Sequence, residues 1–159
     1  MIWELMNPKF VFPSLAAKNY EDVMSQIGGA LTREGYAKET YVDALIERER
    51  EFPTGLDVDG YGVAIPHTPV EHVNKTAIAV AILENPVEFT AMGTDDEFVQ
   101  VKLVMMLAIA GKPGEHGAHI DELQRIMTIL QDTALLEKIQ NAKSADEIIG
   151  LVKEKESTL

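Results

Sequence analysis

Four histidines are the side chains of this sequence best suited to reactive chemistry, because imidazole titrates closest to neutral pH. They are His67, His72, His116 and His119. His67 follows Gly62-Val63-Ala64-Ile65-Pro66, an apolar run typical of a buried strand. The residue before a proline favours extended backbone, so Ile65 should continue that strand. His67 is therefore predicted to stand at the carboxyl end of a strand.

The residues after His67 have the pattern of a helix start. Thr68 has the type of an N-cap, Pro69 that of the first helical residue, and Glu71 would close a capping box. In open α/β sheets, ligands bind where strands end, and helix amino ends favour anions. The sequence therefore predicts that His67 can carry a phosphoryl group.

Two further side chains are candidates to act with His67. His119 follows a glycine-containing loop and opens a predicted helix, whose dipole would favour a neutral ring beside an anion. Arg48 offers a fork of donors that suits phosphoryl oxygens, although it also belongs to a charge run, 47–51, typical of a solvated helix face. His72 is expected to be solvated, and His116 lies in the loop without a particular role.

Other site classes find less support in the residues. His67 and His72 are five residues apart, and neither they nor His116 and His119 have the spacing of zinc ligands. The sequence has no nucleophile elbow and no glycine-rich loop ending in Gly-Lys-Ser/Thr. It has no cysteine, which excludes thiolate catalysis and disulfides. No metal and no cofactor is expected.

Length and charge narrow the function classes further. A chain of 159 residues that is 46% hydrophobic predicts one domain over residues 1–159, with 1–18 as an N-terminal lead. A formal net charge of −12 argues against nucleic-acid binding, which depends on Lys and Arg. The start lacks the pattern of a signal peptide, and no apolar run is long enough to span a bilayer, so a cytoplasmic protein is expected.

The order of predicted elements is helices, strands, then helices, which favours a helix-sheet-helix sandwich. Pro13 is expected to end a first strand, and Asn85-Pro86 to end an all-apolar one. Phe52-Pro53-Thr54-Gly55 is expected to be a loop and Asp57-Val58-Asp59-Gly60 a turn. The predicted strands are 9–12, 62–65, 76–83 and 99–110, and the predicted helices are 19–35, 39–51, 69–72, 120–130, 132–141 and 144–155.

Taken together, these residues resemble enzyme IIA of the bacterial phosphoenolpyruvate-dependent sugar phosphotransferase system, of the fructose-mannitol type. The resemblance rests on Arg48-Glu49, Thr54-Gly55, Gly62-Val63-Ala64-Ile65-Pro66-His67 and His119-Ile120 followed by Leu123 and Ile126 at helical spacing. It covers about residues 20 to 155. The segment from Thr54 to His67 is longer than in typical fructose or mannitol members, which resembles the galactitol-type branch.

The resemblance implies a central mixed sheet and a phosphocarrier function. His67 would accept a phosphoryl group from phospho-HPr through Nε2 and pass it to a cysteine of enzyme IIB, which serves the membrane enzyme IIC. Arg48 and His119 would stabilise the phosphoryl oxygens, with Thr54, Glu49 and Thr68 in support. Phosphoryl transfer needs positioning and charge stabilisation, so neither metal nor nucleotide is implied.

Two alternatives stay open from the sequence. The chain could be a regulatory IIA-like module, in which phosphorylation of His67 controls a bound protein, and the site chemistry would be the same. It could also be a plain ligand-binding α/β domain with an incidental histidine.

Overall fold

A computed structural model describes residues 1–112 and 120–159 of the chain. Five strands form one mixed sheet in the order β1-β4-β5-β3-β2, with helices packed on both faces. The predicted helix-sheet-helix sandwich around a mixed sheet is thus confirmed. The strands are β1 (Val11–Leu15), β2 (Gly55–Val58), β3 (Tyr61–Ala64), β4 (Ala77–Thr90) and β5 (Phe98–Ala108).

Alternation along the central strands divides the protein into two cores. In β4, Ile78, Val80 and Ile82 face one core. Their neighbours Ala77, Ala79 and Ala81 face the other. Successive strand side chains point to opposite faces, so a continuous apolar run is the pattern of a strand covered on both sides. The apolar runs predicted as central strands are both central.

The helices fall on the two faces according to their place in the chain. The first two pack against the alanine side of β4, and the last three pack against its isoleucine and valine side. Asn19, Asp132 and Ser144 each accept an N–H at a helix start, as their types predict. The helices are α1 (Tyr20–Arg33), α2 (Tyr41–Glu51), α3 (Ile120–Leu130), α4 (Thr133–Gln140) and α5 (Ala145–Glu156).

Both predictions that a proline would end a strand are wrong. Pro13 lies inside β1, which is an edge strand, and the pairing register shifts between Phe12 and Leu15. Pro86 lies in the bulge where the β4–β5 register shifts, between Ile82 and Val87. A missing N–H costs little at an edge or a bulge, so the strands continue.

Strand β2, which the sequence prediction missed, forms a hairpin with β3 through the turn predicted at Asp57-Val58-Asp59-Gly60. Strands β2 and β3 pair antiparallel across Asp59 and Gly60, whose φ angles are 50° and 92°. Two positive φ angles are what a type I′ turn requires, and this turn matches the twist of a hairpin. The other side of β3 pairs in parallel with β5.

The N-terminal lead is ordered by the last helix. It forms two 3₁₀ turns, Ile2–Leu5 and Pro8–Phe10, with Ile2 and Phe10 buried. The carboxylate of Glu156, 1% exposed, accepts the N–H groups of Ile2 at 3.0 Å and Trp3 at 2.8 Å. Within residues 1–112 and 120–159, no helix has the length and apolarity needed to cross a membrane.

Candidate active site

His67 lies three residues after the carboxyl end of β3, beside the end of β5. Leu107 donates its N–H to the Pro66 carbonyl at 2.9 Å, and His67 itself pairs in parallel with Leu107. Gly62 allows β3 to lie close to β5, because a Cβ at this position would lie 1.8 Å from the Gln100 carbonyl oxygen. The position predicted for His67, at the end of a strand, is the one observed.

The hydrogen bond of the His67 ring defines its tautomer. Nδ1 lies 2.9 Å from the carbonyl oxygen of Ile65. A carbonyl oxygen can only accept, so Nδ1 must carry the proton. In the neutral ring the lone pair is then on Nε2. The geometry therefore makes Nε2 the nucleophilic nitrogen of His67.

His67 lines a pocket of about 530 Å³. One wall comes from the end of α2 and the loop after it, and another from the turn between β4 and β5. Met92 donates its N–H to the Gly55 carbonyl at 2.8 Å, which ties that turn to the start of β2. The other lining residues are Arg48, Glu51, Phe52, Pro53, Thr54, Met92, Gly93, Thr94 and Asp95.

Arg48 lines this pocket, and its guanidinium has no ion-pair partner among the described residues. Its guanidinium carbon lies 4.1 Å from the centre of the Phe52 ring. Its Nε is buried and has no hydrogen-bond partner among the residues described. In that same part of the chain, no carboxylate lies within 4.0 Å of the Arg48 side chain. A buried donor without a partner is costly, and a bound anion would satisfy it.

Glu49, the next residue of α2, is buried against Thr54. It is 5% exposed, and its carboxylate accepts both the N–H and the hydroxyl of Thr54, at 2.7 Å and 2.8 Å. Burial raises the pKa of Glu49, and the two bonds from Thr54 oppose this rise. The family resemblance implies that Glu49 and Thr54 support the phosphoryl group. The structure directs both donors of Thr54 at Glu49.

The helix predicted to start at Thr68 does not form. A single 3₁₀ turn, Val70–His72, follows Pro69, and Thr68 donates its hydroxyl to the Pro69 carbonyl at 2.9 Å instead of capping. The chain cannot continue as a helix because Val73 pairs with Ala37. The expected attraction of a helix amino end for an anion is therefore missing at this place. Thr68, expected to support the phosphoryl group from a helix N-cap, does not cap a helix here.

The remaining histidines divide between the described and the undescribed parts. His72 is half-buried, with Nδ1 2.8 Å from the Thr40 hydroxyl, and it does not line the pocket of His67. His116 and His119 lie outside the described residues. The predicted role of His119 therefore stays a prediction.

Sequence reasoning missed the wall made by the β4–β5 turn. Thr94 donates its N–H to the Ala91 carbonyl at 3.1 Å, and Gly93 has a φ of 79°. These features fit a type II turn. The packing of this turn against Gly55 depends on the missed strand β2. In the described part of the chain, no group of three or more His, Asp or Glu side chains could hold a metal ion.

Comparison with known proteins identifies the family of this fold and site. The family model described as "Phosphoenolpyruvate-dependent sugar phosphotransferase system, EIIA 2" matches residues 4–155. The galactitol-specific EIIA component of Escherichia coli (strain K12) is 34% identical over 104 residues, 65% of this chain and 69% of the relative. The mannitol-specific enzyme IIA component of Staphylococcus aureus (strain MRSA252) is 30% identical over 146 residues, 91% and 92% of the two chains.

A solved structure agrees with these relatives. It is the complex of mannitol enzyme IIA with phosphorylated mannitol enzyme IIB from Escherichia coli. The match has a TM-score of 0.74 at 25% identity, and it covers 94% of this chain and 97% of the other.

Proposed function

Because this chain belongs to the EIIA 2 family of the phosphoenolpyruvate-dependent sugar phosphotransferase system, we propose that it is a phosphocarrier that uses His67. The observation that carries the proposal is the geometry of the His67 ring. Nδ1 donates to the Ile65 carbonyl at 2.9 Å, so Nε2 holds the lone pair. The same pocket contains Arg48, whose buried Nε has no hydrogen-bond partner among the described residues.

In the first half-reaction, the donor is a phosphohistidine on HPr. The Nε2 lone pair of His67 attacks phosphorus in line, and a new N–P bond forms. The N–P bond of the donor breaks, and its electron pair stays on the donor imidazole. The proton of His67 stays on Nδ1 throughout and is donated in a hydrogen bond to the Ile65 carbonyl, which stabilises the positive charge that the phosphorylated ring acquires.

In the second half-reaction, a cysteine thiolate of enzyme IIB attacks the phosphorus. A sulfur–phosphorus bond forms, and the N–P electron pair returns to Nε2 of His67. Arg48 is proposed to bind the equatorial oxygens in both steps, since charge on these oxygens must be neutralised while the group transfers. His119 is proposed as the second stabilising group, as the family resemblance implies.

The rim of the pocket suits protein partners better than a small substrate. Phe52 is 49% exposed and Met92 is 43% exposed, and both line the pocket that contains His67. Exposed apolar side chains beside a reactive group mark a surface for transient protein contact. The net charge of −12 favours partners whose docking faces are basic. These features support phospho-HPr and enzyme IIB as donor and acceptor. The proposal places this transfer in the cytoplasm, with the membrane enzyme IIC served indirectly.

Galactitol is the proposed polyol. The support is the galactitol-specific relative at 34% identity, together with the long segment between Thr54 and His67, which here forms the β2–β3 hairpin. The mannitol-specific relative, at 30% identity over more of the chain, makes a mannitol-type acceptor the natural comparison.

Transfer to a set of enzyme IIB proteins tests the proposal. The chain is labelled from phosphoenolpyruvate with enzyme I and HPr, and then mixed with galactitol-type or mannitol-type IIB. Faster discharge to galactitol-type IIB is expected, and discharge to mannitol-type IIB alone would contradict the proposed polyol. A chain that accepts label on His67 but discharges to neither would be the regulatory module instead.

A further inference from the structure

A buried polar chain connects Glu49 to the reactive histidine. Glu49 and Thr54 are 5% and 3% exposed, so both are shielded from water. The carboxylate is an acceptor only, and it lies 2.8 Å and 3.1 Å from the Thr54 hydroxyl through its two oxygens. The hydroxyl proton of Thr54 is therefore directed at Glu49.

This commitment determines what Thr54 can do on its other side. With its one proton given to Glu49, the hydroxyl oxygen can only accept, and it accepts the N–H of Ile65 at 3.3 Å. Ile65 in turn presents its carbonyl to Nδ1 of His67 at 2.9 Å. The two hydrogen bonds lie on the two sides of one residue, so Thr54 holds the backbone of Ile65 and thereby its carbonyl. The chain runs from Glu49 through Thr54 and Ile65 to His67.

We propose that Glu49 is a positioning residue, which holds His67 in the tautomer with Nε2 unprotonated by acting through Thr54 and Ile65. This inference rests on the proposed phosphocarrier function and deepens it. Neither Glu49 nor Thr54 needs to touch the phosphoryl group. Their effect is to keep the lone pair on Nε2, because the Ile65 carbonyl accepts a hydrogen bond only from a protonated Nδ1 and so selects the tautomer of the ring.

The energetics favour a positioning role over one in stability alone. In the described part of the chain, no Lys, Arg or His nitrogen lies within 4.0 Å of the Glu49 carboxylate. A buried carboxylate without a cation is expensive, and an apolar pair of similar volume is often as stable or more so. What the carboxylate provides and an apolar pair cannot is a fixed direction for the Thr54 hydroxyl.

The test measures the ring of His67 directly in the unphosphorylated protein. Heteronuclear NMR of the ring nitrogens reports the tautomer populations, at a pH where the ring is neutral. Thr54→Val removes the hydroxyl and nearly keeps the shape, Thr54→Ser restores the hydroxyl, and Glu49→Gln removes one of the two acceptor oxygens. Glu47→Gln, an exposed position on the same helix, is the matched control.

Wild type, Thr54→Ser and Glu47→Gln are expected to show mainly the tautomer protonated at Nδ1. Thr54→Val and Glu49→Gln are expected to gain the tautomer protonated at Nε2, and to accept phosphate about tenfold more slowly, the effect of losing one hydrogen bond. Folding is checked by thermal unfolding, and Glu49→Gln gives the same readout independently of Thr54→Val.

Unchanged tautomer populations in folded Thr54→Val and Glu49→Gln would overturn the positioning role. The result is separable from that of the phosphocarrier proposal. If the tautomers shift as expected but wild type accepts no phosphate, the positioning holds and the function fails. If His67 accepts phosphate but the tautomers do not move, the function holds and the positioning fails.

Discussion

Replacing Gly62 with alanine would place a methyl group where the backbone of β5 already lies. The added Cβ would be 1.8 Å from the Gln100 oxygen, 2.7 Å from its carbonyl carbon and 3.1 Å from the Val101 Cα. Ordinary contact begins near 3.4 Å, so β3 would have to move away by about the difference, 1.6 Å. No side-chain rotation can relieve this contact, because all three atoms belong to the backbone.

A movement of that size would disrupt the pairs Val63↔Leu103 and Ala64↔Val104, which attach β3 to β5. Each net hydrogen bond contributes about 1 kcal/mol, and Val63 and Ile65 are buried in the core. We expect Gly62→Ala to lower the free energy of unfolding by about 3–5 kcal/mol and the melting temperature by roughly 6–20 °C.

The assay is urea and thermal unfolding followed by circular dichroism, together with acceptance of phosphate by the fraction that stays folded. Gly150→Ala is the matched control, since a Cβ at this position in α5 meets nothing within 4 Å. Alanine should stabilise that helix by about 0.5–1 kcal/mol. A Gly62→Ala protein within about 0.5 kcal/mol of wild type would refute the close approach of β3 to β5.

Three further outcomes are expected. Arg48→Lys should slow phosphate acceptance about tenfold and Arg48→Ala about a hundredfold with the fold intact, because a charge-assisted hydrogen bond contributes about 1.5–3 kcal/mol; wild-type rates in a radiolabel transfer assay would remove Arg48 from the site. Glu156→Gln leaves one acceptor oxygen for the N–H groups of Ile2 and Trp3. Urea unfolding should therefore show a free energy of unfolding lower by about 1–3 kcal/mol, with the rate of phosphate transfer unchanged. A slower transfer rate would link Glu156 to the site. The raised pKa of Glu49 means that the folded state binds this proton more tightly, so its contribution to stability is full below the unfolded pKa near 4.5 and is lost as pH rises through the folded pKa. The stability of wild type relative to Glu49→Gln should therefore fall with rising pH above about 4.5, and a flat or rising difference in urea titrations would contradict this sign.

Local rules predicted the helices well because each rule depends on a few neighbouring residues. Asn19 and Ser144 cap α1 and α5 as their types indicate, and Gly35 follows α1 with a φ of 80°. The continuous apolar run of β4 also predicts that this strand is buried on both faces, as observed. In these segments the local preference and the final packing agree.

The errors lie where position in the sheet outweighs the local rule. Pro13 is tolerated because β1 is an edge strand, and Pro86 because a bulge receives it, but neither fact can be read before the strand order is known. Thr68 and Pro69 have the types of a helix start, yet the pairing of Val73 with Ala37 draws the chain away. The residue types around Thr68 do not indicate that Val73 pairs with a residue 36 positions earlier in the chain.

For the candidate site, the sequence indicates individual candidate residues but not the hydrogen bonds that connect them. His67 and Arg48 were identified by type and setting, and both line one pocket. Thr54 makes hydrogen bonds of 2.7–3.3 Å with Glu49 and Ile65, and these bonds join three segments of the chain. Such distances follow from tertiary packing, so only a structure could supply them.

The central claim is that His67 carries the phosphoryl group on Nε2. The most direct measurement is phosphorus NMR of the chain after incubation with phosphoenolpyruvate, enzyme I and HPr, with His67→Ala and His72→Ala run in parallel. The account predicts one acid-labile phosphohistidine signal, attached at Nε2, in wild type and in His72→Ala, and no signal in His67→Ala. A signal that persists in His67→Ala, or one attached at Nδ1, would contradict it.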